Sequence, residues 1–493
     1  MNENIEKNSV SEKLIFEQSK KGKRGYSLSK LDVPEISPAK ILPKHLVRSE
    51  PARLPEVSEP EIVRHYVNLS KKNYSVDTGF YPLGSCTMKY NPKINEKMSS
   101  LAGFSLLHPL VPEEQCQGAL RLMFELEKML CSISGMGRAT LQPSAGAQGE
   151  LCGTLIMRAY FKDRGEERKE IIIPDSAHGT NPASAALAGM TVKTVKSCAR
   201  GELDLDTLKQ AVNKNTAALM ITNPNTLGLF ESKVLEIASV MHENGSLLYL
   251  DGANLNAMLG LMKPGDMGFD IVHFNLHKSF STPHGCGGPG AGPVGVRKGL
   301  EKYLPVPLVG LDGERYYFDY NVPKTIGSFH AFYGNFLVLV RAYTYLLTVG
   351  NSGLREISEN AILNANYIMH SLKKYYDIPY DRDCMHEFVL SGIRQKKKEV
   401  RVLDIAKRLM DYGFHPPTIY FPLIVSESMM IEPTETESLE TMDKFIEAMK
   451  AIAIESENAP EKVRHAPYTL SISRLDEVKA AKELDINYFS RKQ

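Results

Sequence analysis

The segment IVHFNLHKSF, residues 271–280, decides the fold prediction because a buried strand runs directly into a lysine. Residues 271–274 have the pattern of a short strand, and Lys278 follows just past its end, ahead of a glycine-packed loop. Upstream, the run LLYLD at residues 247–251 predicts another buried strand, which ends in Asp251. In open α/β sheets, ligands bind beyond the carboxyl ends of the strands. We therefore expect Asp251 and Lys278 to lie at one edge of the same sheet.

Strand-like and helical segments alternate around these two runs. Further strand-like runs occupy residues 170–173 and 217–221, and helical patterns cover residues 117–133, 203–212 and 234–244. This alternation predicts βαβ units and a mostly parallel sheet, which is an α/β fold. A chain of 493 residues exceeds the usual size of a single core. We predict an extended N-terminal arm (residues 1–70), a large domain (71–330) and a smaller C-terminal α/β domain (331–493).

Composition excludes several functional classes. The net charge of +1 provides no field for attracting nucleic acid. No apolar run approaches the roughly 20 residues that a membrane span needs. The first residues include acids and lack an apolar stretch, so they resemble neither a secretory signal nor a transit peptide. The sequence predicts a soluble, cytoplasmic protein without nucleic-acid or membrane partners.

Cysteine usage indicates reduced thiols. The number of cysteines is odd and their spacing shows no metal-type pairing, so we predict no disulfide and no metal site. The seven positions are Cys86, Cys116, Cys131, Cys152, Cys198, Cys286 and Cys384.

The pairing of Asp251 with Lys278 points to a cofactor. Pyridoxal phosphate needs a lysine for a Schiff base and an acid beside its pyridine nitrogen. A third anchor is the small-residue turn SAGAQ at residues 144–148, which opens a helical pattern. Its free amide N–H groups and the helix dipole suit a phosphate. Considered alone, the turn is equally well explained as a plain connection between a loop and a helix.

Three polar residues at the ends of strands complete the candidate site. His178 follows the strand at residues 170–173, where it could stack on the cofactor ring, although a lone histidine is more often structural. Thr222 closes another strand in the same layer and could bond the cofactor or the substrate. His277, next to the lysine, is also a predicted cofactor contact.

A literal dinucleotide fingerprint, Gly290-x-Gly292-x-x-Gly295, has the wrong context. The fingerprint must follow a strand and open a helix. Here a stretch of proline, glycine and histidine precedes it, and Pro293 interrupts it. We interpret it as a flexible or closely packed loop that brings backbone near Lys278.

Five motifs together resemble one family, the pyridoxal-phosphate P-protein of the glycine cleavage system. They are YPLGSCTMK (residues 81–89), QPSAGAQGE (142–150), AHGTNPA (177–183), YLDGANLN (249–256) and NLHKSF (275–280). The resemblance runs from about residue 20 to beyond residue 470, and the length is similar to that of the cofactor-bearing subunit of the two-subunit form. It implies the aspartate-aminotransferase fold (fold type I).

The resemblance also implies an activity and partners. The activity is that of glycine dehydrogenase (aminomethyl-transferring), in which glycine loses CO2 and its aminomethyl group passes to the lipoyl arm of the H-protein. Lys278, Asp251 and His178 would be catalytic, and residues Ser144, Ala145, Gly146, Ala147 and Gln148 would hold the phosphate. The implied partners are glycine dehydrogenase subunit 1 in an α2β2 assembly, the lipoylated H-protein and, indirectly, the T- and L-proteins.

Two other functions remain open from the residues themselves. An aminotransferase or amino-acid decarboxylase of the same fold would use the same lysine, acid and phosphate turn. A non-catalytic scaffold is a different class of protein, and the retention of Lys278, Asp251 and His178 together argues against it. The residues that would bind a substrate carboxylate are also open, with His330, Lys324 and Arg341 as candidates.

Overall fold

The computed structural model describes residues 12–284 and 290–489. The chain divides into two compact units, residues 1–75 together with 467–493, and residues 76–466. The predicted boundaries at residues 70 and 330 stay a prediction.

Sixteen α-helices lie within the described residues. They are α1 (Ile15–Gln18), α2 (Pro38–Ile41), α3 (Glu59–Ser70), α4 (Lys93–Ser99), α5 (Ala102–Ser105), α6 (Gln117–Ser134), α7 (Gly146–Asp163), α8 (Thr180–Leu187), α9 (Leu205–Ala211), α10 (Val234–Glu243), α11 (Phe336–Leu372), α12 (Ile393–Lys396), α13 (Val402–Asp411), α14 (Leu439–Asn458), α15 (Pro460–Arg464) and α16 (Glu477–Lys482).

Twelve strands occur in the same described ranges. They are β1 (Arg138–Thr140), β2 (Glu170–Pro174), β3 (Thr191–Val195), β4 (Thr216–Thr222), β5 (Leu247–Gly252), β6 (Ile271–Phe274), β7 (Val294–Val296), β8 (Leu308–Asp312), β9 (Arg315–Asp319), β10 (Phe388–Ser391), β11 (Thr418–Ile419) and β12 (Ser428–Ile431). The four strands and three helices predicted in the core region are all present, within two residues of the predicted ends.

The first unit contains little regular structure. Its main helix, α3, begins with a capping box in which the Glu61 carboxylate accepts the backbone N–H of Ser58 at 2.9 Å. Phe16 stacks on Tyr488 with ring centroids 4.9 Å apart, which joins the N-terminal and C-terminal segments of this unit.

A seven-stranded sheet forms the centre of the second unit, in the order β1-β7-β6-β5-β4-β2-β3. The neighbours β6, β5, β4, β2 and β3 run parallel, and β7 is antiparallel to both β6 and β1. Strands β4, β5 and β6 are buried along their whole length, which explains their continuous apolar runs. The prediction of a mostly parallel sheet is confirmed.

Helices cover both faces of this sheet. Leu248 and Leu250 belong to a core with α6, α10 and the first part of α11, whereas Leu247 and Tyr249 pack with α7 and α8 on the other face. Successive side chains of a strand point to opposite faces, so a single strand supplies both cores. The sheet therefore lies between two apolar layers. Because both of its faces are covered, we expect a polar site at the ends of its strands.

The second unit also contains two small sheets. Strands β8 and β9 form a hairpin, and β10, β12 and β11 form an antiparallel sheet that shares an apolar core with α13, α14 and the end of α11. Helix α11 is interrupted at Gly350, where φ is +66°. A residue with a side chain rarely adopts such a φ, so glycine permits the break between the two halves of the helix.

Two further expectations can be compared with the described residues. None of their helices has the length and apolarity needed to cross a bilayer. Six of the seven cysteines are free thiols, and Cys286 lies outside the described residues.

Candidate functional site

The register of the parallel strands brings three polar side chains together at the carboxyl edge of the sheet. Thr222 of β4 lies opposite Asp251 of β5, and Asp251 lies opposite His273 of β6. The Asp251 carboxylate accepts hydrogen bonds from Asn181 Nδ2 (3.2 Å), Thr222 Oγ1 (3.3 Å) and the Ala253 N–H (3.0 Å). These donors hold the carboxylate in one orientation.

Asp251 is 2% exposed and is held in its charged form. Burial raises the pKa of its carboxyl, but His273, Lys278 and the N–H of Ala253 together outweigh burial and lower it below its ordinary value. His273 Nε2 lies 3.2 Å from Asp251 Oδ1, and His273 Nδ1 lies 2.6 Å from the hydroxyl of Tyr249. The carboxyl at the end of β5 is therefore biased toward its ionised form.

Lys278 lies four residues beyond the end of β6 and extends across the cleft. Its Nζ donates to the carbonyl oxygen of Ser85 at 2.9 Å. The cleft has a volume of about 220 Å³ and is lined by seven of the predicted site residues, namely Gly146, Ala147, His178, Thr222, Asp251, His277 and Lys278. The structure thus places the acid, the amine and the start of α7 around one cavity.

The remaining predicted residues belong to the turn but not to the lining of the cleft. The backbone N–H and the hydroxyl of Ser144 both donate to Gln148 Oε1, each at 2.8 Å, so these two side chains close the turn on itself. Ala145 is the N-cap residue of α7 and has extended backbone angles. The sequence could not show this side-chain pairing, because it depends on how the turn folds.

The start of α7 is shaped for an anion. The first N–H groups of a helix lack partners within the helix, and its dipole adds positive potential there. A side chain at Gly146 would overlap Asn275 Oδ1, and one at Gly292 would overlap the carbonyl of Ala145. The glycines therefore allow backbone and ligand to approach closely.

Unpartnered polar atoms near this turn fit a polar ligand. Among the described residues, the buried atoms Asn275 Oδ1, His277 Nδ1 and His284 Nε2 have no hydrogen-bond partner in the protein. Burial, followed by the charge of Lys278, lowers the pKa of His277 to about 3 and that of His284 to about 4, so both rings are neutral. A buried polar atom without a partner is costly. A neutral imidazole can donate its one N–H to an oxygen of a phosphorylated ring, whereas Asn275 Oδ1 can only accept a hydrogen bond.

His178 lies at the mouth of the cleft, where part of its ring remains exposed. Its Nδ1 is 2.9 Å from Thr180 Oγ1, and Thr180 in turn donates to Glu150 Oε1 at 2.7 Å. Partial burial of the ring, followed by the charge of Lys278, lowers the pKa of the His178 imidazole, so the ring is neutral near pH 7. The structure brings His178 into the cleft as predicted, and its role stays a prediction.

Glu150 is a site residue that the sequence reasoning did not single out. It is 4% exposed and lines the cleft one helical turn after Gly146. Burial and then the charge of Asp251 raise its pKa to about 7. The sequence held a weak signal for it, because an acid at residue 150 interrupts an otherwise small and apolar helical pattern.

The Ser85–Cys86 segment also lines the cleft. It belongs to the family motif at residues 81–89, but no site role was predicted for it. Burial raises the pKa of the Cys86 thiol to about 11. The segment comes from a distant part of the chain, and no local pattern connects it with Lys278. The Ser85 carbonyl of this segment nevertheless accepts the hydrogen bond from Lys278 Nζ.

The candidate partners for a substrate carboxylate lie elsewhere. Arg341 Nη2 is 2.7 Å from Glu96, and Lys324 Nζ is 2.9 Å from Asp163. His330 Nδ1 bonds its neighbour, the Ala331 carbonyl, at 2.6 Å. None of the three lines the cleft around Lys278.

The fingerprint-like glycine run does not open a helix. Gly295 lies inside β7, and the N–H of Gly292 donates to the Pro143 carbonyl at 2.8 Å. A Cβ at Gly290 would lie 3.3 Å from His277 Nδ1. The described part of the run is a closely packed segment against the site, as interpreted; residues 285–289 lie outside the described residues.

Comparisons with known proteins identify the family. Residues 22–316 match the family described as the glycine cleavage system P-protein, and residues 357–469 match the glycine dehydrogenase C-terminal domain. A relative from Caldanaerobacter subterraneus subsp. tengcongensis is 59% identical over 95% of this chain and 97% of its own length. A relative from Bacillus velezensis is 58% identical over 98% of each chain. Both are named as a probable glycine dehydrogenase (decarboxylating) subunit 2.

Solved structures confirm the predicted fold. An inhibitor-bound glycine decarboxylase (P-protein) of the glycine cleavage system superposes with a TM-score of 0.71 at 22% identity, covering 83% of this chain and 93% of that chain. A cysteine desulfurase from Escherichia coli superposes with a TM-score of 0.59 at 13% identity, covering 77% and 95%. The architecture is therefore that of fold type I, the aspartate-aminotransferase fold. By the near full-length identity and the family match, the chain belongs to the P-protein family of the glycine cleavage system.

Proposed function

We propose that this chain decarboxylates glycine with pyridoxal phosphate and transfers the aminomethyl group to the lipoyl arm of the H-protein. Family membership and the names of the relatives support glycine as the substrate. The observation that carries the proposal is the convergence of Asp251, Lys278 and the first turn of α7 on one cleft. An ionised acid, an amine and an anion cradle are the three contacts that the cofactor requires.

Each contact has a proposed role in holding the cofactor. Lys278 would bond it covalently, and the Asp251 carboxylate would stabilise a proton on its pyridine nitrogen. The N–H groups at the start of α7, from Gly146 onward, would bind its phosphate, whereas the Ser144 N–H already donates to Gln148 Oε1. His178 would lie against the ring, and Thr222 and His277 would supply further polar contacts.

The reaction balances without a nicotinamide. Pyridoxal phosphate, when bound, supplies an electron sink for the electron pair that is left when glycine releases CO2. A carbon–sulfur bond to the lipoyl arm then forms, the lipoyl disulfide bond breaks, and the second sulfur takes a proton. The disulfide is thereby the two-electron acceptor. Asp251 contributes by keeping its negative charge throughout, which the donors around it secure.

The proposed partners follow from the same family. The relatives are named as subunit 2, which supports a complementary subunit 1. We include in the proposal an α2β2 assembly, the lipoylated H-protein as acceptor, indirect links to the T- and L-proteins, and a cytoplasmic location.

Isotope exchange tests the proposal. The chain is assayed with its subunit 1 for exchange of labelled bicarbonate into the carboxyl group of glycine, with and without lipoylated H-protein. We expect exchange that depends on glycine, the cofactor and the H-protein. Amino transfer to a keto acid, with no exchange, would instead identify an aminotransferase. Neither activity in a preparation with bound cofactor would contradict the proposed reaction.

A further inference from the structure

Two fully buried glutamates lie behind the Ser85–Thr87 turn and take no part in the contacts assigned to the cofactor. Glu387 immediately precedes β10, and Glu432 immediately follows β12. Because these strands are antiparallel, with Phe388 opposite Ile431, the two glutamates lie side by side at one end of the small sheet. Both side chains are 0% exposed.

Each glutamate accepts a backbone N–H from the turn. Glu387 Oε2 accepts the Ser85 N–H at 2.6 Å, and Glu432 Oε2 accepts the Thr87 N–H at 2.8 Å. Glu387 Oε1 also accepts Asn254 Nδ2 at 3.3 Å, which connects it to the loop that follows Asp251. The turn is therefore attached at both ends to one pair of carboxylates.

The turn has a backbone conformation that the protein must impose. Ser85 has a φ of +64° and Thr87 a φ of +49°, both in the left-handed region. A β-branched residue such as Thr87 strongly disfavours this region, and such residues persist only where their surroundings enforce them. Between the two anchored N–H groups, the Ser85 carbonyl points at Lys278 Nζ, 2.9 Å away.

We propose that Glu387 and Glu432 are positioning residues of the active site, which hold the Ser85–Thr87 turn so that the Ser85 carbonyl accepts a hydrogen bond from Lys278 Nζ when this amine is not bound to the cofactor. The inference rests on the proposed function, in which Lys278 is free whenever the substrate is bound to the cofactor. Neither glutamate needs to touch the substrate. Each acts through the turn.

The charges around the pair agree with this role. Burial and then Glu432 raise the pKa of Glu387 well above its ordinary value, and burial raises the pKa of Glu432 to about 7. At least one of the two therefore keeps a proton near pH 7, which avoids two buried charges side by side. The charged or titratable groups that face the pair are Lys278, Cys86, His386 and Glu435, of which Glu435 is paired with Lys89 at 2.8 Å.

A divalent cation is the competing explanation for this cluster. His386 is 0% exposed, both of its ring nitrogens lack partners among the described residues, and its Nε2 lies 3.8 Å from the unpartnered Glu432 Oε1. A histidine with two carboxylates can bind such an ion. Three of the four carboxylate oxygens already accept N–H groups, which leaves Glu432 Oε1 and His386 as the free ligands for an ion. We therefore favour the positioning role.

The test compares alanine and glutamine at the same position. In the chain assembled with subunit 1, Glu387→Ala removes the acceptor for the Ser85 N–H, whereas Glu387→Gln keeps an amide oxygen there. The matched control is Glu427→Ala, because Glu427 precedes β12, accepts the Val402 N–H at 3.1 Å and does not line the cleft. We expect kcat for bicarbonate exchange to fall roughly tenfold or more in Glu387→Ala, and to recover to within about threefold in Glu387→Gln. The control should keep its kcat.

Hydrogen exchange of the peptide that contains residues 81–90 tests the positioning directly, without requiring activity. We expect faster exchange of the turn amides in Glu387→Ala and Glu432→Ala, and unchanged exchange in Glu427→Ala. Equal kcat and equal exchange in Glu387→Ala and Glu427→Ala would overturn the inference. So would a stoichiometric divalent metal that is lost in His386→Asn. A wild-type assembly that neither binds the cofactor nor exchanges bicarbonate would instead remove the proposed function.

Discussion

The two walls of the cleft are built in different ways. The sheet wall consists of Thr222, Asp251 and His273, which lie side by side because neighbouring parallel strands are in register. The turn wall is the Ser85–Thr87 turn, which Glu387 and Glu432 hold from behind, and the hydrogen bonds between them join residues 302 and 345 positions apart. In the proposed reaction, the sheet wall would carry the charge that the chemistry needs, and the turn wall would fix where the Lys278 amine between them rests. Changes in the sheet wall should therefore impair chemistry directly, whereas changes in the turn wall should act through geometry.

Removing the amine between the walls should have the largest effect. In Lys278→Ala we expect no covalently held cofactor and no measurable bicarbonate exchange, because the nucleophile itself is lost. The measurements are cofactor stoichiometry after borohydride treatment and the exchange rate. Lys298→Ala, at an exposed lysine of the same unit, is the control and should behave like the wild type. A normal rate of bicarbonate exchange in Lys278→Ala would show that Lys278 is not the catalytic amine between the two walls.

Removing the charge of the sheet wall should have the second-largest effect on activity. In Asp251→Asn we expect bound cofactor but a kcat lower by roughly 10²–10³, because a preorganised charge at the reacting system is lost. Steady-state exchange kinetics measure this effect. Asp270→Asn is the matched control, since Asp270 is also a buried acid of this sheet, located just before β6 at its amino end. If both variants lose the same fraction of kcat, the effect is structural and Asp251 has no special role.

Crowding the phosphate turn should have a smaller effect, and this effect should be confined to cofactor binding. A methyl group at Gly146 would overlap Asn275 Oδ1, so Gly146→Ala should weaken cofactor binding by roughly tenfold while leaving kcat at saturation largely intact. Fluorescence or absorbance titration with pyridoxal phosphate measures the dissociation constant. Gly118→Ala is the control, because a Cβ at that position of α6 meets no atom within 4 Å. Unchanged affinity in Gly146→Ala would place the phosphate elsewhere.

The smallest effect concerns stability and its dependence on pH. The pKa of Glu150 is raised from 4.5 to about 7, so the folded chain keeps a proton that the unfolded chain releases. This contribution to stability is complete below pH 4.5 and is lost as the pH rises to about 7. Relative to wild type, the thermal midpoint of Glu150→Gln should therefore rise by roughly a few degrees between pH 5 and pH 8.

Thermal unfolding of both proteins at a series of pH values measures this difference. A constant difference for Glu150→Gln would mean that Glu150 is ionised throughout.

The sheet wall was predictable because its signals are local. Buried parallel strands have continuous apolar runs, and a polar residue at the end of each run lies at a known edge of the sheet. Asp251 and Lys278 could therefore be placed together from two short segments. The same argument predicted His178 and Thr222 as site residues, because they follow or end neighbouring strands.

The turn wall was not predictable from local patterns. Nothing within the segment around Ser85 indicates that it lies against Lys278, and nothing near Glu387 or Glu432 indicates that they bind that segment. These contacts depend on how β10 and β12 pack in the folded chain. The pairing of Ser144 with Gln148, which withdraws both side chains from the cleft, likewise depends on the folded turn. Glu150 was missed because a lone acid in a helix is usually an exposed one.

The most direct test of the central claim is to locate the cofactor attachment. The purified chain, alone and with subunit 1, is incubated with pyridoxal phosphate, reduced with borohydride, digested and mapped by mass spectrometry, with visible absorption recorded before and after reduction. The account predicts a visible band that disappears on reduction and a single modified peptide carrying the cofactor on Lys278. Modification of a different lysine, or no band in either preparation, would contradict the assignment of this cleft as the active site.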